Sequence, residues 1–585
     1  MTRIGESFKN FRDRIKASVN VKTRNILFFT ALFLVVLMAI LIRMTPILRG
    51  PNLIKAFDPW IQYYNAKYLS EHTLYEYFNW WDYKSWYPHG MDRSNLRPGL
   101  TFTVVIIYNV LNFFGLPISL YDVCFFFPAF MGGMTVLAAY FLGKEILDRR
   151  MGLFAAFFLA LNTGHMQRTM AGFFDNETIG VFAILMTFVF FLKTIKTGRS
   201  FYSIIGGLFL GYLSLSWGGY TFGFYIIPLV CGLLVLLNKY DENVLIAYAG
   251  VEGVALLIFS LFTRFEASNL LSSFQIGGVF AFTIVLVIYH LIYQRRNKYP
   301  NFYRKLLNSI KYAIIPVSIV VAILLWIDPN LIPIAGGRLS SILSPFLRDQ
   351  AHVTASVAEH MPSAWSIFYY NTLIPLMLAP LGIFFCFKRL NAADITLMAF
   401  FLTLFYFTGS MIRIILLFAP AAALIGAYGL VNILKIFGSF LKEKSYGISR
   451  KRKRQLKRTV GKGEVYGIYA LIGFLCMAQV FQSADISLNQ LSYSQIVAGG
   501  QFHDWEESLT WMKTNLAGTN VVVSWWDYGY WLTPIGNVTT VNDNATRNAT
   551  QMGLTGMALM QTNEIYSAKI LRKLGADYVL VYFGF

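Results

Sequence analysis

Cysteine and acidic side chains are scarce in this chain. Its 585 residues hold 4 cysteines, Cys124, Cys231, Cys386 and Cys476, scattered through apolar stretches. That excludes a disulfide framework and a cysteine metal site, and leaves small buried hydrophobes. Only 14% of the residues are charged while 56% are hydrophobic, and the mean hydropathy is +0.51. A soluble chain of this size needs far more polar surface, so the composition indicates a polytopic membrane protein. Asp and Glu number 30 against 50 Lys and Arg, for a net charge of +20. The excess does not point to nucleic acid, because Lys and Arg crowd 435–462, including the block Arg450 to Arg454, beside apolar runs. The positive-inside rule and anionic lipid headgroups explain such a block. Internal repeats and paired broken helices are also missing, which argues against a transporter.

What is present is a series of apolar runs, at 24–44, 118–142, 151–165, 179–195, 201–217, 220–237, 244–262, 274–293, 310–328, 366–387, 394–410, 411–434 and 464–484. Each approaches the ~20 residues that a helix needs to cross a bilayer. The first, Ile26 to Ile42, follows a basic start and lacks a small-residue cleavage site, so it reads as a retained span. A further run, 98–116, begins at Arg97-Pro98-Gly99 and ends near Gly115 and Pro117, and is expected to be re-entrant or interfacial. The basic connectors around Lys144, Lys196, Lys239, Arg295, Lys388 and 435–462 then share the cytoplasmic side. The expectation is about thirteen spans in 1–485, long external loops at 45–117 and 329–365, and an external mixed α/β domain from 486 to 585. There, Trp505, Leu509, Met512 and Leu516 recur at helical spacing, and 519–525 and 578–583 read as strands.

This topology gathers the informative acids on the external side. Asp175-Asn176-Glu177 sets two carboxylates around an amide at the end of a short span, hard oxygen ligands suited to Mg²⁺ or Mn²⁺, or alternatively a solvated helix start. Acids beside a membrane are costly and usually functional. Asp58-Pro59 is a plausible N-cap followed by a first-turn proline. Glu359, in Ser356-Val357-Ala358-Glu359, lies in a loop long enough to act as a lid. Arg413 heads an apolar helix, where its guanidinium either snorkels to the interface or forks onto phosphate oxygens. His89, in Trp86-Tyr87-Pro88-His89-Gly90, reads first as a local hydrogen-bonder.

The run Trp525-Trp526-Asp527-Tyr528-Gly529 follows Val521 to Val523, a β-branched stretch that suits a short buried strand. Asp527 at such a strand tip, walled by indoles, accepts a hydrogen bond in low dielectric. Gly529 is expected to give backbone freedom for a sharp exit. An interfacial aromatic belt is the alternative.

W-W-D-Y-G beyond the last span, F-D-P-W in the first external loop, D-N-E in the second and S-V-A-E in the fifth together resemble the catalytic subunit of oligosaccharyltransferase. That is the membrane glycosyltransferase family that N-glycosylates the asparagine of Asn-X-Ser/Thr. The resemblance runs from the first span to Phe585. It implies a GT-C type α-helical fold, a lipid-linked oligosaccharide donor of dolichol type on a phosphate or pyrophosphate, and an acceptor polypeptide. By the same resemblance, Asp58 and Glu359 are catalytic and contact the acceptor amide, and Asp58, Asp175 and Glu177 hold Mn²⁺ or Mg²⁺. Arg413, with His89, meets the donor phosphate, and Trp525, Trp526, Asp527, Tyr528 and Gly529, with Glu359, bind the sequon. No nucleic-acid partner or accessory subunit is implied. The membrane is the cell membrane with an external active site, or the endoplasmic reticulum with a luminal one. The family carries a further Asp/Lys motif downstream, so the external domain is expected to be truncated. The rival readings are another lipid-phosphate-sugar glycosyltransferase, such as a protein O-mannosyltransferase, and a lipid-linked sugar transporter.

Overall fold

The computed structural model of the protein describes residues 23–49, 52–94, 96–262, 274–327, 342, 357–442, 461–489 and 501–582. Ser356, most of the expected loop 329–365 and the block Arg450 to Arg454 lie outside the described residues.

Every apolar run named above overlaps a helix. Among the described residues, 8 helices are long and apolar enough to cross a membrane, or 9 if Trp365–Thr372 and Ile374–Arg389, bent by 95°, form one span. The bend falls at Leu373, whose φ is +50°. The run 151–165 is not one continuous helix. It forms a 12-residue helix, Arg149–Ala160, rising only ~18 Å, and then the short turn Thr163–Met166. Ser200–Ser216 and Tyr220–Leu236 have 17 residues each. The run 98–116 forms a 15-residue helix, Gly99–Phe113, which packs against Phe57–Glu71 and Leu120–Ile146.

The helices pack with close backbone approaches where the sequence is small. A Cβ on Gly143 would lie 2.8 Å from the Cα of Gly152, so Leu120–Ile146 and Arg149–Ala160 meet without side chains between them, as apolar helices do when dispersion alone drives packing. The helix Ile415–Lys442 is the buried pillar of the bundle, with Leu416 to Ala419 and Ala421 to Ile425 enclosed. The basic connectors meet at one end. Lys196 pairs with Glu145 at 3.3 Å and Lys435 with Asp148 at 2.7 Å, and Arg389 donates to the carbonyl of Ile146 at 2.9 Å.

At the opposite end stands a small α/β unit. A three-stranded parallel sheet runs in the order Thr539–Thr540, Val521–Val523, Tyr578–Val579. Its central valines alternate between faces. Val522 packs with Trp505, Leu509, Met512 and Trp531, while Val521 and Val523 pack with Val541, Ala558, Ile570 and Leu574. The expected helix is present as Gln501–Asn515. The first external loop closes the sheet edge: Thr540 N–H donates to the Lys84 carbonyl at 2.9 Å, and Tyr87 N–H to the Thr540 carbonyl at 3.0 Å. This pairing removes an exposed strand edge and fastens the loop to the sheet.

Candidate active site

The site is built where four segments of the helical portion meet. Asp58 stands in the first turn of the helix Phe57–Glu71, in which Ala56, not Asp58, occupies the cap position. The N-cap reading of Asp58 is thereby corrected: its carboxylate makes no capping bond and is free to face a ligand. Asp175 and Glu177 flank the start of the helix Glu177–Thr197, both buried. Glu359 lies in the short 3-10 turn Ala358–His360 and Arg413 in the turn Ile412–Ile414, ahead of the buried pillar.

Two guanidiniums cross-link these acids. Arg413 donates from Nε and Nη2 to one oxygen of Glu177, at 3.2 and 3.0 Å, and its Nη1 lies 3.6 Å from Glu359 Oε2. Arg168, which the sequence reading passed over, hydrogen-bonds Glu359 through Nη2 and lies 3.7 Å from Glu177 Oε2. An arginine on the acidic external face, a few residues ahead of D-N-E, was the available signal for it.

The carboxylates fall into two groups. Burial pushes the Glu359 carboxyl up, but Arg168 and Arg413 outweigh it and hold Glu359 below the usual carboxylate range. Burial pushes Asp58 above its ordinary range. Arg413 opposes that rise, and the charges of Glu177 and Glu359 add to it. Asp175 is pushed up to about 8 by burial and by the charges of Glu177 and Asp58. Buried carboxylates that raise one another in this way are short of positive charge. Glu177 Oε2 is also buried without a hydrogen-bond donor. The donor set therefore suits a hard divalent cation in chemistry. It is not a closed cage, because among the described residues no group of three His, Cys, Asp or Glu side chains stands close enough to share one ion.

Asp58, Asp175 and Arg413 line a cavity of about 740 Å³. Trp217, Phe222, Ile226, Leu229, Phe407 and Leu417 give the same cavity an apolar lining. It is a charged head joined to a greasy body.

The aromatic signature stands beside Asp58. Trp531 donates its indole N–H to the Lys55 carbonyl at 3.1 Å, and Phe57 packs on Trp531 and Tyr528 with ring centroids 4.3 and 6.2 Å apart. Trp526 is buried, Trp525 is open to solvent, and Asp527 is half-buried between the two. Burial raises the Asp527 carboxyl; a hydrogen bond from Trp525 opposes this, and the Asp58 charge reinforces it. Gly529 makes no sharp exit. Its φ of −56° is helical, and its lack of a side chain serves packing instead, since a Cβ there would lie 2.4 Å from that of Asp543.

His89 is not brought to this site. It is exposed, its carbonyl accepts the Trp81 indole N–H at 2.9 Å, and it does not line the cavity. The pairing of Lys84 and Tyr87 with Thr540 draws its loop toward the sheet.

The comparisons with known proteins agree with this architecture. Residues 26–426 match the family model "Oligosaccharyl transferase STT3, N-terminal", and residues 518–583 match "STT3/PglB/AglB core domain". The dolichyl-diphosphooligosaccharide–protein glycosyltransferase subunit STT3B of Arabidopsis thaliana is 32% identical over 99% of this chain and 82% of its own length. The subunit STT3 of Dictyostelium discoideum is 29% identical over 93% of this chain and 76% of its own. Among solved structures, the oligosaccharyltransferase AglB of Archaeoglobus fulgidus, in complex with an inhibitory peptide and a dolichol-phosphate, superposes with a TM-score of 0.71 at 18% identity, over 95% of this chain and 69% of its own. The Archaeoglobus enzyme in complex with Zn and sulfate gives a TM-score of 0.65 at 18% identity, over 93% of this chain and 67% of its own. The chain belongs to the STT3 family and is the catalytic subunit of an oligosaccharyltransferase, a membrane glycosyltransferase of protein N-glycosylation.

Proposed function

We propose that the protein moves a glycan from a dolichol-type phosphate or pyrophosphate carrier to the asparagine of Asn-X-Ser/Thr in a polypeptide, with a divalent cation, Mn²⁺ or Mg²⁺. The observation that carries this reading is the joint between the charged cluster of Asp58, Asp175, Glu177, Glu359, Arg168 and Arg413 and a cavity with an apolar wall. A donor with a charged head and a hydrocarbon tail has that shape. The Archaeoglobus enzyme captured with a peptide and a dolichol-phosphate supports the same pairing of ligands. In our reading residues 1–485 form the membrane glycosyltransferase portion and 486–585 the external portion. The site opens on the face away from the basic connectors, which is the outer face of the cell membrane in the reading we favour.

The acceptor nitrogen is a poor nucleophile because its lone pair is delocalised into the carbonyl; rotation about the analogous peptide bond costs about 18–20 kcal/mol. An ionised carboxylate only accepts hydrogen bonds. Glu359, held ionised by Arg168 and Arg413, and Asp58 would together take the two amide hydrogens and favour a twisted, electron-rich nitrogen. The N–C1 bond forms, the C1–O bond to phosphate breaks with its electron pair on the phosphate, and the amide proton leaves to a carboxylate. Arg413, oriented by Glu177, would face the developing phosphate charge, where a fixed cation contributes most. Asp58, Asp175 and Glu177 would hold the divalent ion, which when bound supplies further positive charge at the leaving group. Trp525, Trp526 and Asp527 would receive the Ser/Thr hydroxyl, with Tyr528 and Gly529 completing the turn.

The test is transfer in detergent from a lipid-linked glycan to a fluorescent Asn-X-Thr peptide. We expect glycopeptide that disappears when Asn is replaced by Gln and when divalent ions are chelated. Sugar appearing on the hydroxyl instead would establish an O-glycosyltransferase, and full activity after chelation would remove the metal.

A further inference from the structure

We propose that Asn65, with Gln62 beside it, forms a subsite for the first sugar of the donor, the residue attached directly to the carrier phosphate; this rests on the donor-cavity reading above. Asp58, Ile61, Gln62 and Asn65 all line the cavity. Their spacing along Phe57–Glu71 places them on one helix face. Asn65 stands about 10 Å along the axis from Asp58.

The side chain of Asn65 has an open acceptor. The residue is 5% exposed, and its Oδ1 is buried without a hydrogen-bond donor. Asparagine is a poor helix former, and a buried unpaired amide oxygen is costly, so a plain structural role would favour alanine here. An O–H or N–H from a bound molecule removes that cost. The molecule must lie beside the reacting carboxylate and be rich in such donors. A pyranose whose anomeric carbon sits at Asp58 fits both conditions. Arg97 lines the same cavity, fixed by the Ser214 carbonyl and the Tyr220 ring, and Trp217 adds an aromatic surface. Amide, guanidinium and indole around one space are the chemistry of a sugar site. Two groups on the sugar satisfy Oδ1, a ring hydroxyl or an acetamido N–H.

The experiment compares dolichyl phosphates and diphosphates carrying either N-acetylglucosamine or glucose, using the carrier that the unaltered protein turns over faster. Asn65→Ala keeps helix propensity, and Asn65→Leu fills the space. Both are expected to raise donor KM about tenfold or more, with kcat at saturating donor and peptide KM held within about twofold. The sugar-free carrier should compete as it does against the unaltered protein. A penalty confined to the N-acetylglucosamine donor assigns the acetamido N–H, and an equal penalty on both donors assigns a hydroxyl. Unchanged donor KM overturns the proposal. So does a fall in kcat with KM intact, which would make Asn65 a support for Asp58, or equal weakening of the sugar-free carrier. Thr403→Trp separates the two levels: it crowds the cavity lining from the helix Ala392–Ser410, a different element from that of Asn65, and an unchanged donor KM there would overturn the donor-cavity reading itself.

Discussion

Trp86 donates its indole N–H to Asp543 Oδ1 at 2.7 Å, and both side chains are buried. The bond joins the first external loop of the helical portion to the α/β unit. Asp543 also sits directly behind Gly529 of the aromatic signature. One carboxylate thereby sets the loop of Asp58 against the turn of Asp527. Trp86→Phe keeps the ring and removes the donor, which costs about 1–3 kcal/mol for a buried acceptor left short. We expect earlier thermal unfolding in detergent and a raised KM for acceptor peptide, with donor KM unchanged. Equal changes in both KM values would show a general loosening instead.

The same carboxylate gives the protein a pH dependence. Burial raises the Asp543 carboxyl, against Arg93, the Ala545 N–H and the Trp86 N–H. Its folded pKa thus lies above the unfolded value of about 3.9. The folded state then binds the extra proton, so this contribution is fully present below the unfolded pKa and is lost as pH rises through the folded one. Asp543→Asn keeps a carbonyl acceptor for Trp86 and does not titrate. Thermal unfolding across that window should fall with pH in the unaltered protein and stay flatter in the variant; parallel curves would show that Asp543 carries none of it.

Much of this was legible in the sequence, and the limits have a physical cause. Span-length hydrophobicity is a local signal, so each apolar run found a helix, and the period of Trp505, Leu509 and Met512 found Gln501–Asn515. The acids Asp58, Asp175, Glu177 and Glu359 were gathered by face alone. Arg168 shows only by its place ahead of D-N-E, since its pairing with Glu359 spans 191 residues and is visible only in space. Gly529 suggests backbone freedom in the sequence because Asp543, the residue that forbids a Cβ, is visible only in space. The resemblance alone places His89 at the donor, while its loop follows Thr540 far along the chain.

Arg43 closes the first span without a carboxylate partner among the described residues. It is wholly buried and donates to Thr169 Oγ1 at 2.8 Å, to the Ala39 and Ala160 carbonyls at 2.9 and 3.1 Å, and meets His165 Nδ1 at 3.0 Å. The fork holds the segment that carries Arg168 and leads to Asp175. Lysine keeps the charge and cannot reproduce the fork. Losing two of these bonds at about 1.5–3 kcal/mol each predicts that Arg43→Lys destabilises by about 3 kcal/mol or more. We expect a lower unfolding temperature and slower turnover in the surviving folded fraction; an unchanged melting curve would show that the fork is not needed.

Asp58→Asn and Glu359→Gln separate the roles given to the two carboxylates. Each amide retains the shape but turns an acceptor into a donor facing the substrate amide. Turnover should fall by orders of magnitude in each, while the proteins still insert in membranes. In the proposed mechanism the pair acts on one nitrogen, so the double variant should lose little more than the worse single one. Near-normal glycosylation by the double variant would remove both from the chemistry.

Asp527 is assigned to reading the sequon, so its loss should alter selectivity more than rate. In the proposed reading a peptide with Thr two residues after Asn places a hydroxyl against Asp527, and its Ala analogue leaves that carboxylate with its Trp525 bond but short of a partner. The difference is about 1–3 kcal/mol, or a preference of about 5- to 150-fold in kcat/KM. Asp527→Ala removes the partner from both complexes, so the two peptides should converge, chiefly because the Thr peptide falls. Asp58 and Glu359 are untouched, so kcat at saturating peptide should change little. Kinetics of the matched pair on both proteins check this: an undiminished Thr preference in the variant would show that the hydroxyl is read elsewhere.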